Sequence, residues 1–186
     1  LRTMKPDTIN PTLVSLPSLI QKILSDLESQ NPDRPLTFAT EDRVPQVKAD
    51  AVMLGEAVTN LVLNAVQATE PDGRVSVQTG FDPQRTSVFI EIEDNGPGIP
   101  ELEQTRIFDP GFSTREKGNG YGLSICSRIV SAHRGSLRLI SQEGAGAVFR
   151  IDLPVDFEVI SEEETIRWQR STGEPSSHPI AEEFLE

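Results

Sequence analysis

The sequence is short of cysteine, basic residues and long apolar runs, and each shortage removes a class of function. A single thiol, Cys126, leaves no partner for an internal disulfide and fits a reducing compartment, so a cytoplasmic location is expected. No apolar run reaches the roughly 20 residues of a bilayer-spanning helix, and no basic-then-apolar leader opens the chain. No membrane span is therefore expected within it, although Leu1 reads as the middle of something longer whose upstream part can carry an anchor. Lysine and arginine number 17 against 29 aspartates and glutamates, a net charge of −12, which argues against a nucleic-acid backbone as partner. A nucleotide remains admissible, because backbone donors and a metal ion can offset a few phosphates locally.

Within these bounds, 186 residues suffice for one domain with a real core and a short appendage. Residues 1–12 are polar, with Pro6 and Pro11, and read as an incoming linker. A short strand is expected over Leu13 to Leu16. Pro17 then opens a helix whose Leu19, Ile20, Ile23, Leu24 and Leu27 form an apolar stripe at spacings of three and four. Short strands follow at Leu36 to Thr40 and Gln46 to Lys48, around a polar turn at Glu41 to Arg43. Asp50 suits the N-cap of a long helix running to about Thr69. Alternating strands at Arg74 to Phe81 and Ser87 to Glu93 are joined by the turn Asp82-Pro83-Gln84.

From Asn95 to Asn119 the chain is rich in glycine, proline and charge, with a short helix expected after Pro100. A loop of that length in a compact domain is usually functional. Helix returns over Gly122 to His133, where Gly135 is expected to stop it. Strands at Ser136 to Ser141 and Val148 to Leu153 follow. This order predicts an α+β domain over residues 13–155, a two-layer sandwich of one mixed, mainly antiparallel sheet with helices on one face. Residues 156–186 carry nine acids against Arg167 and Arg170 and read as a mobile acidic tail, with one short helix near Glu162 to Arg170. Trp168 lies in it, either packing the tail or marking a partner contact.

Four constellations carry chemistry. Glu56, Asn60 and Asn64 recur every four residues and share one helix face, beside the apolar Val58, Leu61, Val62 and Ala65. Such a row is either a solvated face or a metal and phosphate site, since Mg²⁺ needs only one or two protein oxygens and completes its shell with water and phosphate. Asp94-Asn95-Gly96-Pro97-Gly98 follows an apolar strand. It is either an ordinary turn or a place where an aspartate accepts the amino hydrogen of adenine and rejects the oxygen of guanine. Gly118-Asn119-Gly120-Tyr121-Gly122 immediately precedes a helix, where free N–H groups and the helix dipole favour phosphate. Arg115 and Lys117 beside it are either phosphate contacts or plain loop charges. Gly144-Ala145-Gly146 reads most simply as a tight hairpin.

Taken together, EAVTNLVLNAVQA (56–68), DNGPGI (94–99), IFDPGFSTR (107–115), GNGYGL (118–123) and GAGAVFRIDLP (144–154) resemble the successive N, G1, F, G2 and G3 boxes of the histidine-kinase catalytic domain. That family shares its Bergerat-type ATP-binding fold with DNA gyrase, heat-shock chaperones and MutL repair proteins, and the resemblance covers roughly residues 13 to 154. It implies ATP and Mg²⁺ as cofactors, with Asn64 holding the metal and Asn60 supporting phosphates or the metal's waters. It implies Asp94 at the adenine amino group, with Gly96, Gly98 and Ile99 shaping that end. Phe108 and Phe112 would anchor a lid over about 99–119. Gly118, Gly120, Tyr121, Gly122 and Leu123 would line the phosphates, with Ser113, Thr114, Arg115 and Lys117 reaching the terminal one. Tyr121 departs from the small or aliphatic residue expected there.

The resemblance further implies phosphoryl transfer to a histidine on a separate dimerisation domain upstream of Leu1, relay to an aspartate on a response-regulator receiver domain, and a homodimeric full-length protein. Neither His133, at a helix end where a cation-capable residue suits the dipole, nor His178, in the tail, reads as that acceptor. Cys126 reads as packed rather than reactive. The rival readings are an ATPase clamp of the gyrase and chaperone type, a serine kinase of the anti-sigma type, and a non-catalytic interaction module. Hydrolysing relatives carry a glutamate general base four residues before the metal-binding Asn. Here Asn60 stands in that place, and a carboxamide cannot take a proton.

Overall fold

The computed structural model describes residues 9–30, 36–113, 120–141 and 143–155. The chain opens with strand β1 (Thr12–Val14) and passes directly into helix α1 (Leu16–Gln30). Leu16, expected in the strand, is instead the first helical residue, and it is fully buried. Ser15 precedes the helix as a cap, its hydroxyl accepting from the Ser18 N–H at 3.5 Å, and Pro17 fits the first turn, where no N–H is needed. The buried residues Ile20, Ile23, Leu24 and Leu27 are the apolar stripe expected from the sequence.

Strands β2 (Leu36–Thr40) and β3 (Val47–Ala49) do not pair with each other. One sheet was expected; the described residues form two. β3 pairs antiparallel with β1 in a small ribbon, Leu13 opposite Lys48, while β2 lies parallel to β4 (Val75–Asp82) at the edge of a five-stranded sheet. Hydrophobic alternation specifies which face of a strand is buried but not its neighbour, which is why the split was not legible. β5 (Ser87–Asp94), β6 (Ser136–Ser141) and β7 (Ala147–Pro154) complete the larger sheet in the order β2-β4-β5-β7-β6, antiparallel except at β2. The β4–β5 turn is held by Asp82, whose Oδ1 accepts the N–H groups of Gln84 and Arg85 at 3.1 and 3.2 Å.

Helix α2 (Ala51–Ala68) and helix α4 (Gly122–Ala132) pack together over one face of this sheet. That face presents Val77, Ile92 and Phe149 across neighbouring strands, then Ile90 and Ile151, all buried. On the opposite face Arg150 spans Glu91 at 2.7 Å and Asp152 at 2.9 Å and stacks on the Phe89 ring. By length and composition α2 is apolar enough to cross a membrane, with a mean hydropathy of 1.2. Its Leu54, Ala57, Val58, Leu61, Val62 and Ala65 are nevertheless spent on the core of this domain.

Two backbone devices fix where α2 and α4 sit. Asp50 caps α2 as the sequence predicts, Oδ1 accepting from the N–H groups of Val52 and Met53, each at 3.1 Å. Its Oδ2 accepts from the Asn10 N–H at 3.0 Å, tying the incoming segment to the same cap. His133 ends α4, but not as a cation serving the helix dipole. It is buried; Nδ1 meets the Ile129 carbonyl at 2.7 Å and Nε2 accepts the Asp50 N–H at 2.9 Å. The Asp50 N–H can only donate, so the ring is neutral with its proton on Nδ1. Gly135 follows the helix end as expected, its N–H donating to the Val130 carbonyl at 2.9 Å, and Arg134 before it takes the left-handed conformation at φ 57°.

Hydrogen bonds from Asn10, Met53 and Val52 hold the Asp50 carboxyl below the usual aspartate range. A lowered native value stabilises the fold above the unfolded aspartate value, about 3.9, and the contribution is lost as pH falls through the native one. Asp50→Ala is therefore expected to cost about 1 kcal/mol at neutral pH, with the difference from wild type narrowing below pH 4. Urea unfolding at pH 7 and pH 3 checks this; an undiminished difference at pH 3 would assign the effect to packing.

Candidate nucleotide-binding site

A cleft of about 680 Å³ opens between α2, the ends of β5 and β7, and the start of α4. It takes its polar wall from α2, where Asn60 and Asn64 face it one turn apart. Glu56, a further turn back, is exposed and lies outside it. The helix thus gives one face to the core and a second, carboxamide face to the cleft.

Asp94 ends β5 and is only 5% exposed, its Oδ1 accepting the Gly96 N–H at 2.9 Å. The loop after it is pinned on both sides. The Asn95 side chain accepts the Arg74 N–H at 2.6 Å, the Pro97 carbonyl accepts the Gly144 N–H at 2.7 Å, and the Ile99 N–H reaches Ser141 Oγ at 2.9 Å. Ser141 Oγ in turn donates to the Gly146 carbonyl at 2.8 Å. Gly144 and Gly146 are therefore more than a hairpin. Gly146 has φ +84°, and a Cβ there would run into the Asp94 carbonyl. The β6–β7 turn is thereby a rigid backing for the Asp94 end of the cleft.

Helix α3 (Glu101–Gln104) follows Pro100 as the sequence predicts. Gln104 fastens it, Nε2 donating to the carbonyls of Ile99 at 2.8 Å and Ser141 at 3.1 Å. Beyond it, Phe108 packs edge-on against Phe149 with ring centroids 6.5 Å apart, and the Arg106 guanidinium lies 4.7 Å over the Phe112 ring. The Gly111 N–H donates to the Gly120 carbonyl at 3.0 Å, bringing the chain back to α4. Gly120, Gly122 and Leu123 then line the far end of the cleft at the start of α4.

Of the residues singled out by sequence, Asn60, Asn64, Asp94, Gly98, Ile99, Phe112, Ser113, Gly120, Gly122 and Leu123 share this one cavity. Gly96, Phe108 and Tyr121 do not line it. Gly96 sits behind the wall, where a Cβ would come within 2.8 Å of the Ala68 carbonyl. Phe108 acts through Phe149, which does line the cleft. Tyr121 is 52% exposed and stands at the N-cap of α4, outside the cavity lining. Thr114, Arg115, Lys117 and Gly118 lie outside the described residues. Sequence reasoning missed Leu63, Gln67, Glu103 and Ile107. Gln67 was within reach, three residues beyond Asn64 on the same helix. Glu103 was hidden by its place in a charged loop.

Cys126 lies fully buried behind this wall, Sγ 3.4 Å from the Ala57 carbonyl, and burial pushes its thiol up to about 12. It is packed, as the sequence suggests, and not a nucleophile.

Residues 49–156 match the family described as histidine kinase-, DNA gyrase B-, and HSP90-like ATPase. The chain belongs to that family. Within it, the relatives are histidine kinases. The chain is 35% identical over 145 residues to the signal transduction histidine-protein kinase AtoS of Escherichia coli (strain K12), a match covering 77% of this chain and 24% of AtoS. The catalytic domain of histidine kinase ThkA superposes with a TM-score of 0.69 at 30% identity, covering 78% of this chain and 95% of that domain. ThkA has also been solved in complex with the response regulator protein TrrA (28% identity, TM-score 0.67, covering 81% of this chain and 43% of that one). Full-length ShkA in complex with AMPPNP matches with a TM-score of 0.72 at 25% identity, covering 81% of this chain and 32% of that one. This is a histidine-kinase ATP-binding catalytic domain, and it spans about a quarter to a third of the length of curated relatives such as AtoS and ZraS.

The backing role of the β6–β7 turn is open to test. Gly146→Ala combines left-handed strain with a collision at Asp94 and is expected to cost about 3 kcal/mol or more. Gly144→Ala, at φ +82° with nothing within 4 Å, incurs the strain alone, about 1 kcal/mol. Equal losses in chemical denaturation of the two variants would remove the close approach as the cause.

Proposed function

We propose that this catalytic domain binds Mg·ATP in the cleft and donates the γ-phosphoryl group to a histidine on a separate dimerisation domain of the same protein. The phosphoryl group then passes to an aspartate on a response-regulator receiver domain, and the full-length protein works as a homodimer in the cytoplasm. The observation that carries the reading is the single cavity joining Asn60 and Asn64, Asp94, and the glycines at the start of α4. The AMPPNP complex of ShkA and the TrrA complex of ThkA support nucleotide and receiver as partners.

Each residue has a task set by its chemistry. The Asp94 carboxylate is an acceptor and takes the exocyclic amino hydrogen of adenine. Gly120, Gly122 and Leu123 offer backbone at the positive end of α4, suited to phosphate oxygens. Asn60 and Asn64 are neutral, hard oxygen donors one turn apart. No cluster of three potential metal-binding acids, histidines or cysteines occurs among the described residues. That donor set fits Mg²⁺, which draws most of its shell from water and phosphate. Asn64 would hold it and Asn60 its waters, and the ion would neutralise charge on the phosphates.

In the transfer, the acceptor imidazole nitrogen forms a bond to the γ-phosphorus as the bond to the β–γ bridging oxygen breaks, and ADP leaves with that electron pair. His133 is not the acceptor, because both its ring nitrogens are committed to backbone groups. α2 offers no water-activating base inside the cleft, since Asn60 lines it and Glu56 does not. The domain is therefore built to position a phosphoryl donor rather than to hydrolyse one.

Calorimetric titration with AMPPNP and Mg²⁺, with the guanine analogue as control, tests this. The adenine nucleotide is expected to bind alone, to weaken when Mg²⁺ is chelated, and to lose about tenfold or more with Asp94→Asn. Equal binding of the guanine analogue, or no binding by the folded chain, would overturn the reading.

A further inference from the structure

We propose that Glu103 makes the cleft selective for ribonucleotides, its carboxylate accepting hydrogen bonds from the vicinal hydroxyls of the bound sugar. The inference rests on the nucleotide-site reading above.

Glu103 sits on α3, and the Ile107 N–H donates to its carbonyl at 3.0 Å, so the helical turn carries Glu103 and Ile107 onto one face. Both line the cleft, while Leu102 is 89% exposed on the outer side. The segment is not free to swing. Gln104 ties it to the carbonyls of Ile99 and Ser141, and the Ile99 N–H ties the preceding loop to Ser141 Oγ. The Glu103 carboxylate has no hydrogen bond or ion pair with another described residue. A fixed turn thus holds in the wall of the cavity an acceptor with no partner among the described residues.

The chemistry of the cleft narrows what that acceptor can take. Phosphate is excluded by like charge, and its donors are the backbone groups of Gly120 to Leu123 at the far end. The adenine amino group is matched to Asp94. The cation of the nucleotide site is already matched to Asn60 and Asn64 on α2. In chain order the lining runs from Asp94 through Ile99, Glu103 and Ile107 to Phe112, Ser113 and Gly120. Asp94 and Glu103 are the two carboxylates in that lining, so with the base matched to Asp94 and the phosphates to the start of α4, the sugar hydroxyls are the donors left for Glu103. The hydroxyls of that sugar are neutral donors, and a carboxylate with two oxygens accepts a vicinal pair together. An acidic residue performs this task in dinucleotide-binding folds of unrelated architecture.

The test is calorimetric titration of the chain with ADP, 2′-deoxy-ADP and 3′-deoxy-ADP, which removes the terminal phosphate from the comparison. Wild type is expected to bind ADP about tenfold or more tighter than either deoxynucleotide. Glu103→Ala is expected to bring the three within about twofold, and Glu103→Gln, which keeps one acceptor oxygen, to fall between. Adenine selectivity should survive both substitutions. Equal affinities in wild type, or a ribose preference that persists in Glu103→Ala, would refute the role. So would a uniform loss for all three ligands, which would make Glu103 merely structural. If ADP itself does not bind, the nucleotide site fails and this inference with it. If ADP binds with adenine selectivity but no ribose preference, only the inference fails.

Discussion

The packing of α2 between α4 and the central strands is the constraint on which the rest of the structure depends. An 18-residue helix with six buried apolar residues has one position it can take over a sheet whose inner face is Val77, Ile90, Ile92, Phe149 and Ile151. Once it is seated, Asn60 and Asn64 have nowhere to point but into the gap left where the sheet ends and α4 begins. The same seating sets the angular position of α4, because Asp50 at one end of α2 holds His133 at the end of α4. Removing a buried Leu from this layer would cost about 2–5 kcal/mol, far more than any single contact in the cleft. The cleft borrows its rigidity from the core behind it.

Much of this was legible before the coordinates. The apolar stripe of α1, the Asp50 cap and the buried alternation of β4 and β5 follow from periodicity and local chemistry, which act within a few residues. Asp94 and Gly122 each had an ordinary turn or helix start as the alternative, and were singled out by the order and spacing of five segments that resemble the histidine-kinase boxes. What was not legible depends on contacts distant in sequence. Nothing in Val47–Ala49 says that it pairs with Thr12–Val14 and not with the neighbouring Leu36–Thr40. Nothing in Gly146 says that its missing Cβ makes room for the Asp94 carbonyl, 52 positions earlier in the chain. His133 was read from its place at a helix end, and the Asp50 N–H that fixes its tautomer lies 83 residues away. Glu103 looked like one charge among many until the turn showed which face it shares.

The distribution of charge along the cleft bears on how a ligand must lie in it. Two carboxylates, Asp94 and Glu103, occupy the wall that begins at the end of β5, while the start of α4 brings backbone donors and a positive dipole end. In a chain of net charge −12, a polyphosphate placed against Asp94 would meet repulsion in a poorly solvated pocket, where it is least screened. Only one orientation puts donors on the acids and phosphates on the amides. The proposed placement, with the base at Asp94, the sugar at Glu103 and the phosphates at Gly120, Gly122 and Leu123, satisfies both ends together. Phosphoryl transfer adds a further demand. In the proposed transfer the terminal phosphate must emerge where a second domain can reach it, and the phosphate end is the one at the start of α4. On the proposed reading, the rigid, pinned end of the cleft holds the part of the nucleotide that does not react, and the reacting end is left toward the start of α4.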